Sequence, residues 1–179
     1  MKKIFMTIAA AFVAVSMNAQ VYLGGGIGFQ SKSYDGNSTS SFNFIPEIGY
    51  SLDENSAIGL GFGFSTSGKD ESKQTSVSVN PYYRYNVVKF DKVKLFLDGT
   101  FEFETVKGNG FNDDDYKENS WGLGVRPGVA VNLNDNISFV STFGFFGYKS
   151  SKPDGDKATN RVALGLDASQ LTFGLFYNF

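Results

Sequence analysis

In eight stretches of this 179-residue chain, large apolar side chains recur at every second position, and none of those positions holds Asp, Glu, Lys or Arg. A period of two is the spacing of a β-strand with two unlike faces. The runs cover about 20–30, 41–52, 56–66, 75–87, 93–105, 120–133, 137–147 and the C-terminal tail. Ile58, Leu60, Phe62 and Phe64 alternate with Gly59, Gly61, Gly63 and Ser65 in the third; Val93, Leu95, Leu97, Phe101 and Phe103 alternate with Lys94, Asp98, Thr100, Glu102 and Glu104 in the fifth. In the seventh, Ile137, Phe139, Phe143 and Phe145 share one parity.

The charge sits on the other parity, at Glu47, Arg84, Lys94, Asp98, Glu102, Glu104 and Arg126. A soluble barrel or sandwich turns its apolar face inward and its charge to water. A membrane barrel inverts this, because a lysine or arginine facing lipid near the midplane costs roughly 2–4 kcal/mol. Glycine separates the two. Gly24, Gly26, Gly28, Gly59, Gly61, Gly63, Gly122, Gly124 and Gly128 all lie on the polar parity. Glycine weakens a strand, whereas in a narrow barrel it makes room for long neighbours. The expectation is an all-β chain, an eight-stranded antiparallel up-and-down transmembrane barrel with a polar interior.

The connections divide in the same way. Those at 53–55, 89–91 and 134–136 are short; those at 31–40, 67–74, 107–119 and 149–160 are long and polar. Short periplasmic turns on one rim and long extracellular loops on the other fit such a barrel, with both termini on the short-turn side. Pro46, Pro81 and Pro127 each precede a short turn by seven or eight residues. A proline inside a closed sheet loses a ladder bond, so a bulge or a water-filled gap is expected at each. Val162, Leu164 and Leu166 alternate on even numbers and Leu171 to Phe179 on odd ones. A bulge near Asp167–Ser169 would restore register; alternatively, 161–168 stands above the membrane.

Residues 1–19 have the layout of a secretory signal peptide: Lys2 and Lys3, an apolar stretch from Ile4 to Val15, and Ala19 before the expected cut. Two domains of the sequence follow, a cleaved leader (1–19) and a barrel (20–179). Past the leader no apolar run reaches the ~18 residues of a membrane helix, a test blind to strands. Losing Lys2 and Lys3 leaves 14 basic against 18 acidic residues, a net charge of −4, which speaks against nucleic acid as a partner. The chain has no cysteine, hence no disulfide or thiolate site.

The whole mature chain resembles the small eight-stranded outer-membrane β-barrels of Gram-negative bacteria, of the OmpA transmembrane-domain and OmpX type. The most specific part is the tail, Thr172-Phe173-Gly174-Leu175-Phe176-Tyr177-Asn178-Phe179, which fits that family's terminal pattern of polar, any, Gly, any, any, aromatic, any, aromatic. The resemblance implies that Gly174, Tyr177 and Phe179 form an assembly signal read by the barrel-assembly machinery, and that the monomer resides in the cell outer membrane among its lipids. Tyr50, Tyr83, Tyr85 and Tyr177 on the lower rim, and Phe42, Phe62, Phe64, Phe103, Trp121 and Phe145 on the upper, suit interfacial girdles.

Catalysis has little to work with. There is no histidine and no cysteine, so the usual base–nucleophile pairings are missing. No cofactor or metal site is expected: the glycine-rich 24–28 opens no helix, and the acidic 112–119 lacks the spacing of a calcium loop. Attention falls on the lumen. Counted from the short turns, Glu47, Arg84, Asp98 and Arg126 lie at one height and Glu102 about one layer above. Arg84 should meet Phe96 or Asp98, and Arg126 should meet Asp98 or Glu102. The set reads as a charged plug, with the role left to the extracellular loops as envelope component or in adhesion and binding. The alternative is a narrow porin-like channel for ions or small solutes; a ligand-binding soluble barrel is a third.

Overall fold

The structure, a computed structural model, describes residues 20–34, 37–69, 72–109, 115–155, 157–165 and 172–179. The expected leader (1–19) lies outside the described residues. Among the described residues, ten strands make eight walls. The first six walls are single strands: β1 (Val21–Tyr34), β2 (Asn37–Ser51), β3 (Ser56–Lys69), β4 (Ser72–Lys89), β5 (Val93–Asn109) and β6 (Asp115–Asn132). The seventh comprises β7 (Ile137–Thr142) and β8 (Phe145–Pro153); the eighth comprises β9 (Thr159–Gly165) and β10 (Thr172–Asn178). Neighbours pair antiparallel throughout, and β10 returns to β1, so the sheet closes on itself. Closure is what lipid demands, since an open edge there would strand backbone donors and acceptors.

The period of two translates into walls with an apolar outside. Phe44, Phe62, Phe101, Leu123 and Leu175 are exposed on the outer surface, while Arg84, Asp98 and Thr100 are buried within. The first six strands run 14–18 residues, beyond the ~9–11 that cross a bilayer. The surplus corrects the loop lengths. The ladder continues to Tyr34↔Asn37, Lys69↔Ser72 and Asn109↔Asp115, so most of 31–40, 67–74 and 107–119 is hairpin arm.

Two of the short turns repeat one device. Asp53 Oδ1 accepts from the backbone N–H of Asn55 (2.6 Å) and Ser56 (2.9 Å); Asn134 Oδ1 accepts from Asn136 (3.0 Å) and Ile137 (2.7 Å). These side chains close the turn in place of backbone, and the amides bonded to Asp53 hold its carboxyl below the ordinary range.

The prolines also follow one rule. Each faces outward and turns its missing N–H toward the next wall. The β2–β3 ladder skips from Phe44↔Phe64 to Glu47↔Gly61 beside Pro46, and the β4–β5 ladder skips from Val79↔Phe103 to Tyr82↔Thr100 beside Pro81. There the Thr100 hydroxyl donates to the orphaned Pro81 carbonyl at 3.2 Å. Beside Pro127 the neighbouring wall bulges instead: β6 pairs Gly128↔Thr142 and then Val125↔Phe146, so the seventh wall carries one extra residue. Phe143 N donates to Pro127 O at 3.1 Å, and Gly144 takes a left-handed φ of 75°.

That bulge corrects the sequence reading of the seventh strand. One added residue inverts every later side chain. Phe145, expected on the outer rim, points into the lumen, and Phe146 and Tyr148 take the outer face. Because the left-handed region disfavours a β-branched residue, Gly144→Val is expected to lower stability by roughly 1–3 kcal/mol in urea titrations of the vesicle-embedded barrel. Gly144→Asn should lose less.

The eighth wall carries the expected change of parity. Val162 is outside opposite Tyr148 and Phe173 is outside opposite Ser141. The bulge expected near Asp167–Ser169 lies outside the described residues.

Candidate functional site: the barrel lumen

Inward-facing side chains gather in two tiers. The lower tier is built on β4 and β5, where Arg84 and Asp98 are direct cross-strand partners. Arg84 Nε donates to Asp98 Oδ1 at 2.8 Å and Nη2 to Oδ2 at 2.9 Å, a two-pronged bond. Asp98 is 1 % exposed. The guanidinium lies 3.9 Å from the centre of the Phe96 ring and 5.1 Å from that of Tyr82. Counting from the turns leaves Phe96 and Asp98 as alternative partners; Arg84 touches both.

Glu47, from β2, lies against the Tyr82 hydroxyl, which meets the Tyr22 hydroxyl at 3.0 Å. Phe176 of β10 closes the circle, edge-on to Tyr22 at 5.9 Å between centroids. Side chains from five walls thus meet across the barrel.

The upper tier is Glu102, Arg126, Lys149 and Phe145. Lys149 Nζ stands 2.7 Å from Glu102 Oε2 and 4.5 Å above the Phe145 ring. Arg126 is held more loosely. Its Nη1 is 3.9 Å from Glu102 Oε1, and its buried Nε has no hydrogen-bond partner among the described residues. Across β5–β6, Arg126 is the register partner of Asp98, yet its ion pair is with Glu102. Together the tiers set the carboxylates of Glu47, Asp98 and Glu102 against the cations of Arg84, Arg126 and Lys149, which tempers the cost of burying charge.

Several lumen residues are not legible in the sequence. Spacing places Lys149 in a loop, and the bulge at Phe143–Gly144 is what turns it inward. Tyr22, Phe96 and Phe176 are inward aromatics that the apolar-outward rule misses. Their signal is the glycine directly across: Tyr22↔Gly49, Phe96↔Gly128 and Gly24↔Phe176 are register pairs, and a Cβ on any of these glycines would run into the ring. Tyr82 covers Gly59 in the same manner. The inward glycines therefore seat aromatic rings more often than charged chains, although Gly122 does make way for Lys149 and Gly61 for Glu47.

Gly174, Tyr177 and Phe179 lie on and just beyond β10. Phe179 N donates to Val21 O at 3.0 Å at the closing seam, and its ring meets Tyr177 edge-on at 5.0 Å. Among the described residues no group of His, Cys, Asp or Glu could hold a metal ion. The acidic stretch 112–119 lies partly outside the described residues.

A closed barrel with an apolar belt and a charged interior defines an outer-membrane β-barrel protein. The chain belongs to the outer membrane protein β-barrel domain family, whose model matches residues 4–179. In fold it is similar to Neisserial surface protein A, with a TM-score of 0.60 and 17 % identity over 89 % of this chain and 97 % of that one. It is similar also to a major outer membrane protein from Thermus thermophilus, with a TM-score of 0.52 and 15 % identity over 89 % and 99 % of the two chains. At these identities the likeness is one of fold. No curated protein matches in sequence.

Proposed function

We propose that this is a sealed, non-catalytic barrel, delivered by its leader, whose role as envelope component or in adhesion and binding is carried by the surface at the long-hairpin end. The lower tier carries this reading. An eight-stranded interior is just wide enough for side chains to fill, and here the Arg84–Asp98 pair with Tyr22, Tyr82, Phe96 and Phe176 occupies it. The lack of His and Cys throughout the chain supports the non-catalytic part. The competing reading, a narrow ion path, draws on the looser Arg126–Glu102 contact of the upper tier. Reconstituted into vesicles, the barrel is expected to leave small trapped solutes at the leak rate of protein-free vesicles. Release that grows with the protein-to-lipid ratio would overturn the seal.

In the same reading Gly174, Tyr177 and Phe179 direct assembly by the barrel-assembly machinery. Phe179→Ala is expected to lower the amount of heat-modifiable barrel in the outer membrane several-fold while the purified variant still refolds in detergent. Undiminished levels in cells would remove Phe179 from the signal.

A further inference from the structure

Below the Arg84–Asp98 pair the lumen opens again, at the short-turn mouth, into a small blind cavity of about 80 Å³. Its polar lining includes Ser51, Arg84, Asn86, Lys94, Asn132 and Asn178, and no carboxylate lines it among the described residues. Lys94 thus faces a space lined by no acid, and Arg84 above it is already paired with Asp98.

Lys94 is the unsatisfied member. It sits on the inward parity of β5, two residues before Phe96, and has no carboxylate within ion-pair distance among the described residues. Its direct cross-strand partner is Lys89. Like charges placed directly opposite destabilise a sheet, and Lys89 is only weakly neutralised, 3.9 Å from the exposed Glu54. The surrounding groups can donate. Asn132 spends its carbonyl on the Ser138 hydroxyl at 3.0 Å, and Asn178 donates to Ser138 Oγ at 3.2 Å. These contacts orient the amides around the mouth and leave the Asn132 amide hydrogens without a described acceptor.

The geometry points to an oxyanion site: we propose that this short-turn vestibule binds one phosphate group, held by Lys94 with the Asn132 amide beneath the Arg84 ceiling. The space holds a few waters, enough for one such group, and it is open to solvent at the mouth. The phosphate is either the free ion or the end of a longer molecule reaching in from the short-turn side. Binding at equilibrium does not depend on whether the barrel conducts, so this inference stands apart from the seal.

The test is titration of the refolded full barrel in a zwitterionic detergent with inorganic phosphate, read by calorimetry and by ³¹P line width, beside Lys94→Gln and Lys94→Arg. Heat-dependent gel mobility confirms that each variant is folded. Saturable one-to-one binding is expected in wild type, kept within a few-fold by Lys94→Arg and weakened at least about tenfold by Lys94→Gln, the loss of one charge-assisted bond. Glycerol phosphate, added in competition, identifies the source. Displacement of the ion means that the site accepts a phosphate carried on a larger group, and failure to displace restricts it to the free ion. Non-saturable uptake in wild type, or equal affinity in Lys94→Gln, would overturn the proposal.

Discussion

Replacing Asp98 with alanine is expected to lower the stability of the folded barrel by about 3–5 kcal/mol, the usual consequence of stranding one member of a buried ion pair. Arg84 is held in place on the side away from the vestibule. Its guanidinium is stacked 3.9 Å over Phe96 and flanked by Tyr82, in the most enclosed part of the lumen. Removing both charges should be far milder: Arg84→Met with Asp98→Leu fills similar space and leaves no unpaired charge, and such replacements are often neutral. Urea unfolding of the two variants in lipid vesicles, followed by heat-dependent gel mobility, would measure the difference. A loss under about 1 kcal/mol in Asp98→Ala, well short of a stranded buried charge, would mean that water reaches Arg84 freely, and the plug would have to be redrawn.

The second large effect concerns the outside. Leu123 is 59 % exposed on β6, beside inward-facing Gly122 and Gly124. On a protein surrounded by water, arginine at so exposed a position would cost little. On a lipid-facing belt it should cost roughly 2–4 kcal/mol near the midplane, falling to about 0–1 near the interface. Leu123→Arg is therefore expected to be strongly destabilising in vesicles, and Tyr85→Arg, close to the short-turn rim, much less so. Equal costs at the two heights would argue that the belt does not follow the bilayer.

Much of this architecture is legible because it is encoded locally. Alternation, the absence of charge on one parity, and the contrast between short and long connections each need only neighbouring residues, and lipid enforces all three at once. The prolines are legible as irregularities, but not in kind. Only the closed sheet shows that each turns its missing donor toward the next wall, where a ladder gap or a bulge receives it. The bulge beside Pro127 then carries Phe145 and Lys149 to the inside. A lone glycine between aromatics, Phe143-Gly144-Phe145, is the available warning.

The inward rings are hidden for a different reason. Tyr22, Phe96 and Phe176 are bulky aromatics that a rule of apolar side chains outward places on the lipid face, yet each fills the space above a glycine on the adjacent wall. That contact belongs to a pair of strands, so one strand read alone cannot show it. Arg84 and Asp98 are easier to bring together, since β4 and β5 are joined by a turn of three residues, 90–92. Even there the irregularity between Asn86 and Val88 shifts the count by one, so counting back from the turn does not by itself land on the Arg84–Asp98 pair.

The central claim is that the two tiers seal the barrel, and single-channel recording in planar bilayers tests it most directly. The purified, heat-modifiable protein is expected to insert without conducting, and Arg84→Ala with Asp98→Ala, which opens the lower tier, should conduct more than wild type. Steady unitary openings from the wild-type protein, altered by Arg84→Ala or Arg126→Ala, would contradict the account and make the interior charges the lining of a pore.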